Sequence, residues 1–269
     1  MIFNLGPDGV SKTKKPPAYT MSGIGNQYAY VADDPGDDGT IDWEMAIYAS
    51  GTINFSRVCN VDIFLVGGGA PGGKGYPDLT DQNGEKCYGG SGGYGGACKL
   101  FSNVSLTEGV DYALTVGGSG AATSAFGYTA ESGGGCPGGS GGAAWRSGYN
   151  NGTSGTNGVT AFNSHPRDTG MHLISSQIGV LYGAGGGGAP ARSNAGAYTA
   201  YGYGAKAGGT TGGGASGVDP TGENDRRYGL AGAAKTGAGG GGSCGDRLTG
   251  TYPNGGAGGS GIIIIRNAR

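Results

Sequence analysis

The chain has 269 residues, 67 of them glycine, and a formal net charge of −2 with charged residues at only 13%. That balance gives no electrostatic basis for binding nucleic acid or an anionic membrane surface, and no apolar run approaches the ~20 residues of a membrane span. Glycine and proline at this density usually mark disorder, but 16 tyrosines, six phenylalanines and two tryptophans are more than a flexible linker needs.

In chain order, residues 1–20 read as a lead and attachment segment. It contains the basic, proline-stiffened stretch Ser11-Lys-Thr-Lys-Lys-Pro-Pro17 and lacks the charged start and apolar core of a signal peptide. If Met1 is the true start, synthesis in a cytoplasm without export by the common route is expected. Residues 21–66 carry the first strands. Gln27–Ala32 and Ile41–Ala49 flank an aspartate-rich turn segment and are expected to form a hairpin. Ile41, Trp43, Met45, Ile47 and Ala49 recur at period two, the mark of a half-buried strand. The Asp33–Asp38 segment departs from the calcium-loop pattern at Pro35, which leaves cation binding there open. Thr52–Phe55 and Val61–Val66 follow as strands.

Residues 67–261 hold the remaining glycines. Seven precede Gly67 and none follows Gly261, so inside this region nearly one residue in three is glycine. The glycines come in short blocks such as Gly89–Gly96, Gly185–Gly188, Gly239–Gly242 and Gly255–Gly261, separated by segments such as 150–157, 192–203 and 218–228. Two strands, 99–106 and 110–116, are expected within the region as a hairpin about Thr107-Glu-Gly109. The segment Met171–Ile178 is the best helical candidate, and it is short, stopping at Gly179. Residues 262–269 form the closing strand, whose four consecutive isoleucines suit a strand covered on both faces. Each strand set is too small alone, so first and last strands must meet, with the glycine region inserted between them.

Ordering a glycine backbone costs on the order of 1–2 kcal/mol per residue, and something repeated must offset it. Helices with three residues per turn and no internal hydrogen bonds can bond to one another where glycine faces glycine. Short rods of this kind, joined by variable loops, match the block pattern, and loops at rod ends are a natural recognition surface. Trp145, Tyr149, Tyr198, Tyr201 and Tyr203, in or beside those loops, are the candidate receptor-binding residues. They can also be read as caps on the bundle.

Catalytic and cofactor sites are not expected. Gly67, Gly69 and Gly72 fit G-x-G-x-x-G, but Gly-Gly-Lys-Gly-Tyr-Pro77 follows where a helix should open. The same stretch mimics a phosphate loop with Gly75 in place of the hydroxyl residue. His165 and His172 have no nucleophile elbow to serve. Cys59, Cys87, Cys98, Cys136 and Cys244 lack zinc spacing and, being odd in number, leave at least one thiol free or paired between chains. They read most simply as small buried residues in a reducing compartment.

The runs Tyr48–Phe55 and Val61–Gly69, then Tyr112–Gly118, Leu181–Gly188 and Gly255–Arg266, together resemble the glycine-rich domain of phage and prophage tail-fibre-associated proteins over about residues 25–269. The resemblance implies an all-β fold, a β-sandwich of jelly-roll or TNF-like type with an inserted bundle of polyglycine-II helices. It also implies a non-enzymatic virion protein, made in the host cytoplasm and released by lysis. Such a protein would be a tail-fibre, tail-tip or capsid-surface adhesin. It would bind a host-surface glycan or protein through loops between glycine blocks and join other virion proteins through its N-terminal segment, as a homotrimer or a single-copy cap. A purely structural decoration or assembly protein and a bacterial cell-surface adhesin are the alternatives. No cofactor, metal, nucleic-acid partner or membrane insertion is expected.

Overall fold

The computed structural model describes residues 17–33, 42–77, 87–135, 143–145, 148–149, 155–159, 180–189, 191–192, 229–243, 245–246 and 254–268. Among them every regular element is a strand: β1 (Tyr19–Ser22), β2 (Tyr28–Asp33), β3 (Asp42–Ile47), β4 (Gly51–Phe55), β5 (Cys59–Val66), β6 (Tyr76–Pro77), β7 (Cys87–Tyr88), β8 (Cys98–Leu106), β9 (Tyr112–Thr115), β10 (Thr123–Ala125), β11 (Tyr128–Ala130), β12 (Ala143–Trp145), β13 (Gly148–Tyr149), β14 (Ala191–Arg192), β15 (Gly245–Asp246) and β16 (Ile262–Asn267). The helical candidate 171–178, the 34–41 connection, both histidines, Cys136 and Cys244 lie outside the described residues.

Two five-stranded antiparallel sheets carry the core, one ordered β1-β4-β9-β10-β11 and the other β2-β3-β16-β5-β8. Their inward residues form one cluster. Trp43, Met45, Ile47, Val61, Ile63, Leu65, Ile263 and Ile265 come from the second sheet, and Ile53, Phe55, Leu114, Ala125 and Ala130 from the first. Period-two alternation puts these side chains on the facing surfaces. The closing strand sits between β3 and β5, so first and last parts of the chain do meet. Its isoleucines are buried on both faces as their unbroken run requires. Ile263 and Ile265 enter the shared core, whereas Ile262 and Ile264 pack on the outer face with Ala46, Phe64, Val66 and Tyr182. Tyr182 is fully buried there, edge-on to Phe64 at 5.5 Å between ring centroids.

Among the described residues three charged side chains are also buried. Register aligns Arg266 with Glu44 on one side and Asp62 on the other. The Arg266 guanidinium lies 3.5 Å from the Asp62 carboxylate, which also accepts the Asn103 N–H at 2.9 Å. That N–H is available because β8 bulges, setting Ser102 and Asn103 opposite the single residue Asp62, with Asn103 at φ 55°. Buried opposite charges on adjacent strands fix register, since a slip would leave one uncompensated.

Two sequence expectations need correction. The segments around 99–106 and 110–116 do not form a hairpin. β8 pairs with β5 in one sheet and β9 pairs with β4 and β10 in the other, so residues 107–111 cross between sheets. The first strand also begins earlier than the reading near Gln27, because β1 pairs with β4 from Tyr19 onward. β10 and β11, not expected from sequence, join through Phe126-Gly127, both at positive φ as a tight hairpin turn demands.

An aromatic chain, Tyr28, Tyr19, Tyr30, Trp43 and Phe55, runs from the partly buried rim between β1 and β2 into the core, with neighbouring centroids 5.4–6.5 Å apart. Burial, then the neighbouring Tyr28 and Tyr30, pushes the Tyr19 hydroxyl up to about 12, and burial raises Tyr30 as well. An unfolded tyrosine ionises near 10, so the unfolded chain releases these protons first. Stability from this cluster should be intact below pH 10 and fall as pH rises from about 10 to 12. Denaturant midpoints measured across that range, with tyrosinate absorbance followed in parallel, check it. Ile263→Ala should cost about 2–5 kcal/mol in the same unfolding assay.

Candidate functional site

Each strand of the trio β16-β5-β8 continues without a break into a glycine segment on one side of the sandwich. Residues 67–73 leave β5, 90–97 enter β8 and 254–261 enter β16. These segments keep the neighbours their strands have. The N–H groups of Gly67, Ala70 and Gly73 donate to the carbonyls of Ala97, Tyr94 and Ser91 at 2.9, 2.8 and 2.6 Å. Those of Gly69 and Gly72 donate to Gly259 and Gly256 at 2.9 and 2.8 Å. Bonds to a given neighbour therefore recur every three residues, and successive residues serve different neighbours.

Residues 237–243 lie at the centre. Gly240 and Ser243 donate to Ala70 and Gly73, Gly239 and Gly242 to Ala184 and Gly187, and Gly241 to Leu230. In return, carbonyls 237, 240 and 243 accept from Gly96, Gly93 and Gly90, and carbonyls 238 and 241 from Gly259 and Gly256. One seven-residue stretch thus bonds to five neighbouring segments. Segments 67–73, 183–189 and 237–243 run outward from the sandwich; 90–97, 229–233 and 254–261 run back.

Glycine is needed here for space more than for backbone freedom. A Cβ on Gly240 would fall inside van der Waals contact of the Gly256 carbonyl oxygen, one on Gly93 would strike that of Ala70, and one on Gly258 that of Gly69. Backbone freedom matters at two entry points, Gly183 (φ 68°) and Gly237 (φ 66°), where the chain turns into its segment. The turn before Gly237 is held down by Lys235, whose ammonium sits 4.0 Å over the Tyr48 ring. Gly67, Gly69 and Gly72 each back onto a main-chain carbonyl, and β6 follows them, so their G-x-G-x-x-G spacing opens no helix. Among the described residues, no cluster of His, Cys, Asp or Glu could hold a metal ion. Cys59 and Cys98 are half-buried; the Cys98 thiol donates to the Gly96 carbonyl at 3.7 Å, and burial raises Cys59 to about 11.

The outward segments end in short strands. β6 and β7 pair, β7 pairs with β12 and β12 with β13, while β14 and β15 form a parallel pair beside them. This far pole is the candidate site. The described residues flanking 78–86, 193–228 and 247–253 lie toward it. The structure brings the Trp145 and Tyr149 positions together here in the β12–β13 hairpin, whereas Tyr198, Tyr201 and Tyr203 lie outside the described residues. Sequence reading missed Tyr76 and Tyr88, which stand directly opposite one another in β6 and β7 with ring centroids 4.9 Å apart. Their position right beside glycine blocks, at the outer ends of paired segments, was the available signal.

The opposite pole gathers the other ends of the chain. Ser56 N–H donates to the Ala18 carbonyl, Gly109 N–H to Phe55 and Ala268 N–H to Asn60. The exposed side chains of Val58 and Val110 lie in its turns.

A fold of two β-sheets whose strands run on into glycine segments defines a glycine-rich β-protein. A family model described as a glycine-rich domain matches residues 48–268, and the chain belongs to that family. No curated protein and no solved structure matches it.

Gly240→Ala should destabilise the protein by about 3 kcal/mol or more, because its methyl group meets backbone that cannot yield. Gly118→Ala, facing open space without a positive φ, should stay within about 1 kcal/mol of the parent. Thermal unfolding of the two variants side by side checks the contrast.

Proposed function

We propose that this chain is a non-enzymatic phage or prophage virion protein, an adhesin of the tail fibre, tail tip or capsid surface that contacts the host cell with its far pole. In this reading the glycine segments are polyglycine-II helices set into a jelly-roll type of sandwich. The three-residue recurrence of bonds between segments supports the helix assignment. So does Pro71, whose fixed φ and missing N–H suit an outward-facing position of such a helix. At about 3.1 Å per residue, seven residues carry the far pole roughly 20 Å beyond the sandwich.

The observation that carries the proposal is this separation of ends. Residue 17 enters, and residue 268 leaves, at the pole opposite the one where the outward segments stop. A chain tethered through residues 1–16 would present the far pole away from its anchor. The loops there could then vary in sequence while the bundle, whose glycine positions leave no room for a side chain, keeps their spacing. A host-surface glycan or protein is the proposed partner at the far pole, and other virion proteins at the near one.

Purified full-length protein should bind cells of a susceptible strain and compete with phage adsorption. Replacing residues 193–203 by a short Gly-Ser linker should cut cell binding at least tenfold with the melting temperature unchanged. Undiminished binding by that variant would place the contact elsewhere. Failure of the parent protein to bind any of a broad strain panel would refute the adhesin role and leave a decoration or assembly protein.

A further inference from the structure

We propose that Tyr76 and Tyr88 form a stacking platform for one ring of an uncharged saccharide, which deepens the adhesion reading above and rests on it. The two rings are inclined by 30° with centroids 4.9 Å apart, and the Tyr76 side chain is more than half exposed, at 55%. Tyr76 offers an exposed aromatic face and hydroxyl, and the half-buried Tyr88 ring beside it holds that face in place. That combination presents a π-face to ring C–H groups and hydrogen-bonding partners to sugar hydroxyls.

The register extends this surface. Tyr76 stands opposite Tyr88, and Tyr88 opposite Ala143, so all three positions share one face of the sheet, and position 145, a tryptophan, falls on that face two residues on. Position 149 falls on the other face, since Tyr149 pairs with Ala144. Small residues separate the aromatic positions: Ala143 on the face itself and Gly148 opposite Trp145.

Charge and size select the occupant. The nine residues of β6, β7, β12 and β13 include no charged side chain, and the neighbouring pair β14–β15 sets one cationic position, Arg192, against one anionic position, Asp246. An anionic sugar or a phosphate would call for Arg or Lys within the strip. Four strands spaced about 4.8 Å apart and two or three residues long give a face of roughly 100–150 Å². A stable protein partner needs about 800 Å² on each side. One or two sugar rings fit the smaller figure.

The test uses full-length protein and a panel of methyl glycosides of neutral hexoses, 6-deoxyhexoses and N-acetylhexosamines. Saturation-transfer NMR reports which sugar protons approach the protein, and tyrosine fluorescence gives the affinity. At least one glycoside should bind through its ring C–H protons. Tyr76→Ala should weaken it at least fivefold, Tyr76→Phe should keep most of the affinity, and both variants should melt as the parent does. Binding by Tyr76→Ala equal to the parent, or no binding by any member of the panel, overturns the platform. A parent protein that ignores the whole panel yet still adheres to cells overturns the saccharide assignment alone and points to a protein receptor. One that binds a glycoside in a Tyr76-dependent way but adheres to no cell overturns the adhesion role alone.

Discussion

Main chain bonded directly to main chain is the constraint on which this molecule depends. In an ordinary core, side chains exclude water and the backbone is satisfied within helices or sheets. Here Gly240 donates to Ala70 at 3.0 Å, accepts from Gly93 at 2.8 Å, and has the Gly256 carbonyl where a side chain would begin. Each bond contributes only about 0.5–1.5 kcal/mol net, so the arrangement works by repetition. At the glycine positions it has no room for added atoms, so glycine dominates the blocks; Ser91, Tyr94 and Ala257 face outward, while the small side chains of Ala184, Ala238 and Ser243 are buried within.

Repetition alone does not fix which segment lies beside which, because identical backbones can slide. The sandwich supplies the register. β16, β5 and β8 are neighbours in a sheet whose order is locked by Ile262–Ile265 packing on both faces and by the buried Arg266 between Glu44 and Asp62. Segments 254–261, 67–73 and 90–97 inherit that order as they leave the sheet. The remaining outward segments are pinned at their roots. Tyr182 is buried against Phe64 just before Gly183, and Lys235 lies over Tyr48 just before Gly237. Side-chain specificity at the roots thus becomes spacing at the far pole, where Tyr76 and Tyr88 meet.

Much of this was legible in the sequence, for identifiable reasons. Trp43, Met45 and Ile47 alternate cleanly and give β3; the isoleucine run gives a two-sided strand; glycine blocks between strands give ordered backbone packing. What stayed hidden lacked a local signal. β10 and β11 are three residues each, Thr-Ser-Ala and Tyr-Thr-Ala, too short to show a period, and β10 pairs on the edge that β9 offers. The break between β8 and β9 looked like a hairpin because Thr107-Glu-Gly109 has turn chemistry; the crossing between sheets is set by partners distant in sequence, β5 for β8 and β4 for β9, and by the Gly109–Phe55 bond. Tyr76 and Tyr88 have eleven residues between them and share a site only because their segments pair. Trp145 and Tyr149, which stand out by composition, occupy opposite faces by register.

Native-state amide exchange resolved residue by residue tests the backbone-packed bundle most directly. The amides of Gly93, Gly96, Gly240, Gly256 and Gly259 should exchange as slowly as those of Ile263–Ile265, through global unfolding, since they are held by bonds continuous with the same sheet. Exchange of those glycine amides at the rate of an unstructured peptide, with β16 still protected, would contradict a bundle ordered by its own main chain.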